Sequence, residues 1–169
     1  MLRRLRENGP VVLVPLAWTF ATAAHLDVLA LRTVLIAHLV MDAIIAAFTV
    51  LSWREMTDGV LLVWKRVLLA GLAITLVGTA ALLPDPPVKP LLTTTVIGWM
   101  LVPAAGLIRT GWLVDRHPRV YTAGGALSAV GAAVYLGGVV GTVSVLVLAG
   151  LTAVNASQTA GIVAAVYDY

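Results

Sequence analysis

The chain contains no cysteine, which excludes disulfides, thiolate metal centres, iron–sulfur ligation and cysteine nucleophiles from its chemistry. The same absence leaves its redox compartment unreadable. Charge is nearly as scarce: 11% of residues are Asp, Glu, Lys or Arg, against about a quarter in ordinary soluble domains. Neither a Walker loop nor a Gly-rich turn after a strand is present, and no soluble domain exists to house one, so coupling to ATP within the chain is not expected. No short repeat is visible.

What is present is apolar, with 60% of the 169 residues hydrophobic. The few charges fall in clumps between runs of membrane-spanning length, about 20 residues each. This pattern predicts an all-α polytopic integral membrane bundle whose solvent is mostly lipid. A net charge of +3 does not point to nucleic acid, because the basic residues flank apolar segments and build no continuous basic domain.

Six spans are expected, at about 11–30, 33–53, 61–83, 91–112, 120–140 and 142–166. Leu31 and Arg32 alone separate the first two, a very tight connection. The run Pro84, Asp85, Pro86, Pro87, Val88, Lys89, Pro90 cannot continue a helix and is the clearest boundary in the chain. Pro103 should kink the fourth span. Gly137, Gly138 and Gly141 mark the division between the last two spans, where no charge helps to place it.

Cytoplasmic loops accumulate Lys and Arg. With six spans, Arg3, Arg4, Arg6, Arg54, Lys65, Arg66, Arg109, Arg116 and Arg119 share one side, and only Arg32 and Lys89 occupy the other. The expected topology is therefore amino terminus in and carboxyl terminus in, across the cytoplasmic membrane. A rival reading of the start is a signal peptide cleaved after Ala21, Thr22, Ala23, but the apolar stretch continues past that site. A three-plus-three division at the proline loop would give the two halves opposite orientations, as in inverted-repeat transporters, although no residue-level similarity accompanies it.

Ionisable residues inside spans are costly, and a functional role is their default hypothesis. His25 and His38 fall at similar depths below the outer ends of the first two spans, where a tight hairpin could turn them toward each other. Asp42 lies one turn from His38 on the same helix face, and Asp27 lies near the outer end of the first span. A proton relay would need hydrogen-bond reach among His25, His38 and Asp42. A metal site would need His25, His38 and a third ligand from Asp42 or Asp27, and a bis-His haem would need both imidazoles around one porphyrin. Otherwise all four are structural, with Asp42 held by a hydrogen bond to His38 or to another helix and His25 and Asp27 at the headgroup level. No cofactor is predicted, with haem kept as the alternative.

In the sixth span Thr152, Asn155 and Thr159 recur at helical spacing, with Ser157 and Gln158 on neighbouring faces. The stripe should point into the bundle, as a hydrophilic path opposite Asp42 or as interhelical glue. Small residues also repeat every four positions, at Gly124, Ser128 and Ala132 and at Ala153, Ser157, Gly161 and Ala165. Such faces allow close helix contact, within the chain, with another membrane subunit or in a homo-oligomer. Trp53, Trp64 and Trp112 read as interface anchors, whereas Trp18 and Trp99 fall inside spans.

These residues describe a non-enzymatic membrane protein, transporter-like or an accessory subunit, with an ion path through His25, His38, Asp42, Asn155 and Thr159. The alternatives are a haem- or metal-binding redox protein using His25 and His38, and a purely structural partner subunit.

Overall fold

The computed structural model describes residues 2–168, with side chains from Val11 to Tyr167. The side chains of Arg3, Arg4 and Arg6, and Tyr169, lie outside the described residues. Six helices follow one another: α1 Leu2–His25, α2 Leu31–Ser52, α3 Gly59–Leu82, α4 Lys89–Gly111, α5 Pro118–Val140 and α6 Ser144–Asp168. Helices α2 to α6 are each long and apolar enough to cross a membrane, while the apolar part of α1 is shorter, Val11–His25. The chain is a multi-pass helical membrane protein.

Helix ends follow local chemistry. Proline stands in the first turn of α4 and of α5, where its missing N–H would have been unbonded anyway. The end of α1 departs from expectation: the helix stops at His25, residues 26–30 form the connection, and Leu31 and Arg32 already belong to α2. Asp27 takes a left-handed conformation (φ 56°). Its N–H reaches the Ala24 carbonyl at 3.2 Å, and the Val28 N–H reaches that of Ala23 at 3.3 Å. This is a Schellman closure, so Asp27 caps the helix in a turn instead of sitting inside a span. Thr142 (φ 55°) closes α5 in the same way, with Val143 N–H on the Gly138 carbonyl at 2.8 Å.

The helices pack in the order α2, α3, α4, α5, α6, α1, with a minor contact of α4 on α6. Thus α1 lies against α6, not against its sequence neighbour α2. The core forms where α1, α4, α5 and α6 meet, around Trp18, Met100, Ala132, Tyr135, Leu151 and Val154. Glycine sets the spacing there. A methyl group at Gly150 would come 2.6 Å from the Gly131 carbonyl oxygen, and one at Gly125 would come 2.5 Å from that of Ala104. Gly124, Ser128, Ala132, Ser157 and Gly161 are all buried. These buried small residues therefore close α5, α6 and α4 on one another inside the chain, while Ala153 and Ala165 of the same repeat are only half-buried.

Candidate functional site

Two polar systems cross the apolar interior, and the first surrounds Gln158. Pro103 has no N–H for the carbonyl of Trp99 one turn earlier. The Gln158 Nε2 amide donates to that oxygen at 3.1 Å, and also approaches the Met100 carbonyl at 3.3 Å and Ser128 Oγ at 3.1 Å. Its Oε1 accepts the Trp18 indole N–H at 3.0 Å, and the Ser128 hydroxyl donates to the Met100 carbonyl at 2.9 Å. Trp99 extends the system to α3 by donating to Thr75 Oγ1 at 3.0 Å. One amide side chain thus ties α1, α4, α5 and α6 together, and every polar atom of it is engaged. The two interior tryptophans belong to this network.

The predicted stripe on α6 turns the other way. Thr152 is exposed and Asn155 and Thr159 are only half-buried. Thr152 and Asn155 line an open groove of about 330 Å³ with Thr19, Thr22, Ala23, Leu26 and Val28, on the outer surface between α1 and α6. The expectation that this stripe points into the bundle is corrected: Ser157 and Gln158 are the buried polar residues of this stretch. Gln158 meets α1, α4 and α5, and α6 shares no extended contact with α2, so neither set stands opposite Asp42. The threonines satisfy themselves locally, Thr152 on the Leu148 carbonyl at 2.8 Å and Thr159 on Asn155 Oδ1 at 3.2 Å, so little forces them inward.

His25 and His38 also part company. The exposed His25 ends α1 with Nδ1 at 2.8 Å from the Ala21 carbonyl and Nε2 at 2.9 Å from the Tyr135 hydroxyl. A carbonyl only accepts, so in the neutral ring Nδ1 carries the hydrogen and the tyrosine donates to Nε2. The rings meet edge to face at 5.5 Å. Both nitrogens of His25 are therefore occupied. His38 lies on α2, with Nδ1 at 3.0 Å from the Val34 carbonyl, and its ring packs on α3: a methyl at Gly78 would touch His38 Nε2 at 3.1 Å. The two histidines serve different interfaces because α1 and α2 share no extended contact.

Asp42, one turn below His38, meets the next residue of α3. Thr79 Oγ1 donates to its Oδ2 at 2.7 Å. Its other oxygen, Oδ1, is buried and has no hydrogen-bond partner, a condition it shares among the described residues only with Ser52 Oγ. His38 Nε2, with its ring hydrogen committed at Nδ1, is likewise an acceptor. The site thus presents two acceptors on one helix face, with a threonine hydroxyl holding the carboxylate in place.

Comparison with family models, with curated proteins and with solved structures finds no match for this chain. The site has to be read from its own chemistry. Among the described residues no three His, Asp or Glu side chains are grouped as metal ligands. With both nitrogens of His25 occupied and His38 on another interface, the pair does not fit a shared iron or metal ion.

At the other end of the bundle, Lys65 Nζ donates to the Trp53 carbonyl at 3.0 Å and stands 3.6 Å over the Trp53 ring. Arg109 approaches the Trp112 ring at 5.9 Å. Both contacts join a cation to an indole where lipid headgroups would lie. Sequence reasoning passed over Thr79 and Ser52. Ser52 had a signal: His38, Asp42, Ile45, Thr49 and Ser52 are spaced four, three, four and three residues apart, one face of a helix.

Proposed function

We propose that this protein is a six-span, transporter-like protein of the cytoplasmic membrane, with both termini inside, that moves protons or a proton-coupled ion through Asp42. The observation that carries this reading is the buried Asp42 Oδ1, which no protein group satisfies. A carboxylate oxygen left open inside a span is costly, and ionisable groups in such places mark ion and proton pathways. Thr79 orients the group through Oδ2, and His38, one turn toward the outer end, supplies a second proton-accepting atom. His25, Asn155 and Thr159 are outside this reading, because their partners lie on other helices or along the outer surface. The nine-to-two division of Lys and Arg supports the orientation.

The test is flux in reconstituted vesicles under an imposed pH gradient. Asp42→Asn keeps the side-chain shape and a partner for Thr79, and should abolish flux while the protein still folds and inserts. His38→Ala should shift the pH dependence of the remaining activity. An Asp42→Asn protein indistinguishable from wild type would remove the reading.

A further inference from the structure

The two buried side-chain oxygens without partners, Asp42 Oδ1 and Ser52 Oγ, fall on the same helix and the same face of it. Ten residues separate them, about 15 Å along the axis at 1.5 Å per residue. Between them lies Thr49, buried and back-bonded to the Ile45 carbonyl at 2.7 Å, a bond that uses its hydrogen and leaves the oxygen lone pairs able to accept. Ser52 makes no such back-bond. The helix that α2 packs along is α3, which offers the buried Thr79, already bonded to Asp42 Oδ2. Every other buried side-chain N or O among the described residues has a partner. Chance would scatter two orphans over six helices, whereas both lie in this one seam.

Buried polar atoms in proteins are satisfied by protein or by ordered water, and a water needs a polar, roomy site to stay. We propose that the α2–α3 seam admits water from the basic end of the bundle, past Ser52 and Thr49, to Asp42. The inference deepens the reading of Asp42 as the ion-carrying centre and rests on it for the purpose of the path. The entrance lies where the turn after Ser52 brings Arg54 to the surface and Lys65 covers Trp53. On α3 no titratable group faces the seam between Arg66 and the helix end. Asp42 and His38 are then the groups that can exchange protons with water in it.

The absence of native cysteine makes the test direct, since one introduced thiol is the only thiol. A charged methanethiosulfonate reagent is added to vesicles with the basic side outward, carrying S52C, T49C or A47C. Ala47 lies within about 3 Å of Thr49 along the axis, on the exposed face of α2, toward lipid, where no thiolate forms, so it is the control matched in depth to T49C. S52C and T49C should be modified at least about tenfold faster than A47C, and T49C stands in if S52C fails to assemble. Rates no faster than A47C at either seam position mean a dry seam and overturn the proposal. Modification of S52C should also stop Asp42-dependent flux, and flux that persists overturns the access route. A wild-type protein without flux would instead refute the transport reading, while the labelling rates still decide whether the seam holds water.

Discussion

The junction of α1, α4, α5 and α6 and the hairpin of α2 and α3 both place polar side chains inside the bundle, but they treat them in opposite ways. At the junction, Gln158 fills both ends of its amide and supplies the donor that Pro103 withholds from Trp99. Glycines there bring backbones within the distance of a missing methyl. On the hairpin, Asp42 Oδ1 and Ser52 Oγ are buried atoms that nothing answers. A satisfied network gains stability and rigidity, whereas an open acceptor at the same depth is a cost that packing does not explain. The junction is the tied part of the bundle, and the hairpin is the part that keeps open polar atoms.

The largest effect should come from cutting the junction. Gln158→Leu removes four polar contacts and leaves the Trp99 carbonyl open in a dry interior. At about 0.6–2 kcal/mol per interhelical bond, with the added cost of an orphaned acceptor, the loss should be about 2–4 kcal/mol in detergent unfolding. A melting temperature unchanged by this substitution would break the comparison at its stronger side.

The hairpin should respond far less. Asp42→Leu removes the Thr79 bond but also the unsatisfied oxygen, and the freed threonine can bond its own helix. The expected change is about 1 kcal/mol or less, with flux lost. A drop as large as that for Gln158→Leu, measured in the same detergent, would make Asp42 structural and erase the contrast.

The smallest effect lies in the turn that joins α5 to α6. Thr142 holds a left-handed conformation (φ 55°) that a β-branched residue adopts only at a cost. Relief of about 1–2 kcal/mol from that strain outweighs the roughly 0.5–1 kcal/mol of extra backbone entropy that glycine brings. Thr142→Gly should stabilise the protein by about 0.5 kcal/mol. A loss of stability would show that the Thr142 hydroxyl, 2.7 Å from the Gly141 carbonyl, contributes more than the strain costs.

The multi-pass helical character was legible from hydropathy and charge clumps, because lipid leaves a coarse mark on composition. The partners of the polar residues were less so. Equal depth suggested His25 beside His38, yet depth fixes only one coordinate, and α1, packed on α6 and away from α2, gives His25 to Tyr135 of the adjoining α5. Helical period singled out Thr152, Asn155 and Thr159, but a threonine that bonds its own helix can face outward without penalty. Gln158 cannot satisfy a primary amide within its own turn, so it goes inward, and side-chain reach was the better guide than spacing. Ser52 escaped because it sits at the last position of α2, where a polar residue looks like a helix end.

The docking of α1 on α6 also sets a timetable. The Trp18 indole and its Gln158 acceptor are 140 residues apart in the chain. At a synthesis rate of about 5–20 residues per second, the first helix waits roughly 7–28 s before the last supplies its partner. Throughout that interval α1 presents an unanswered indole and the unfilled side of a helix interface to the bilayer or to whatever chaperones insertion. A ribosome that stalls before α6 would leave in the membrane a fragment with that face open.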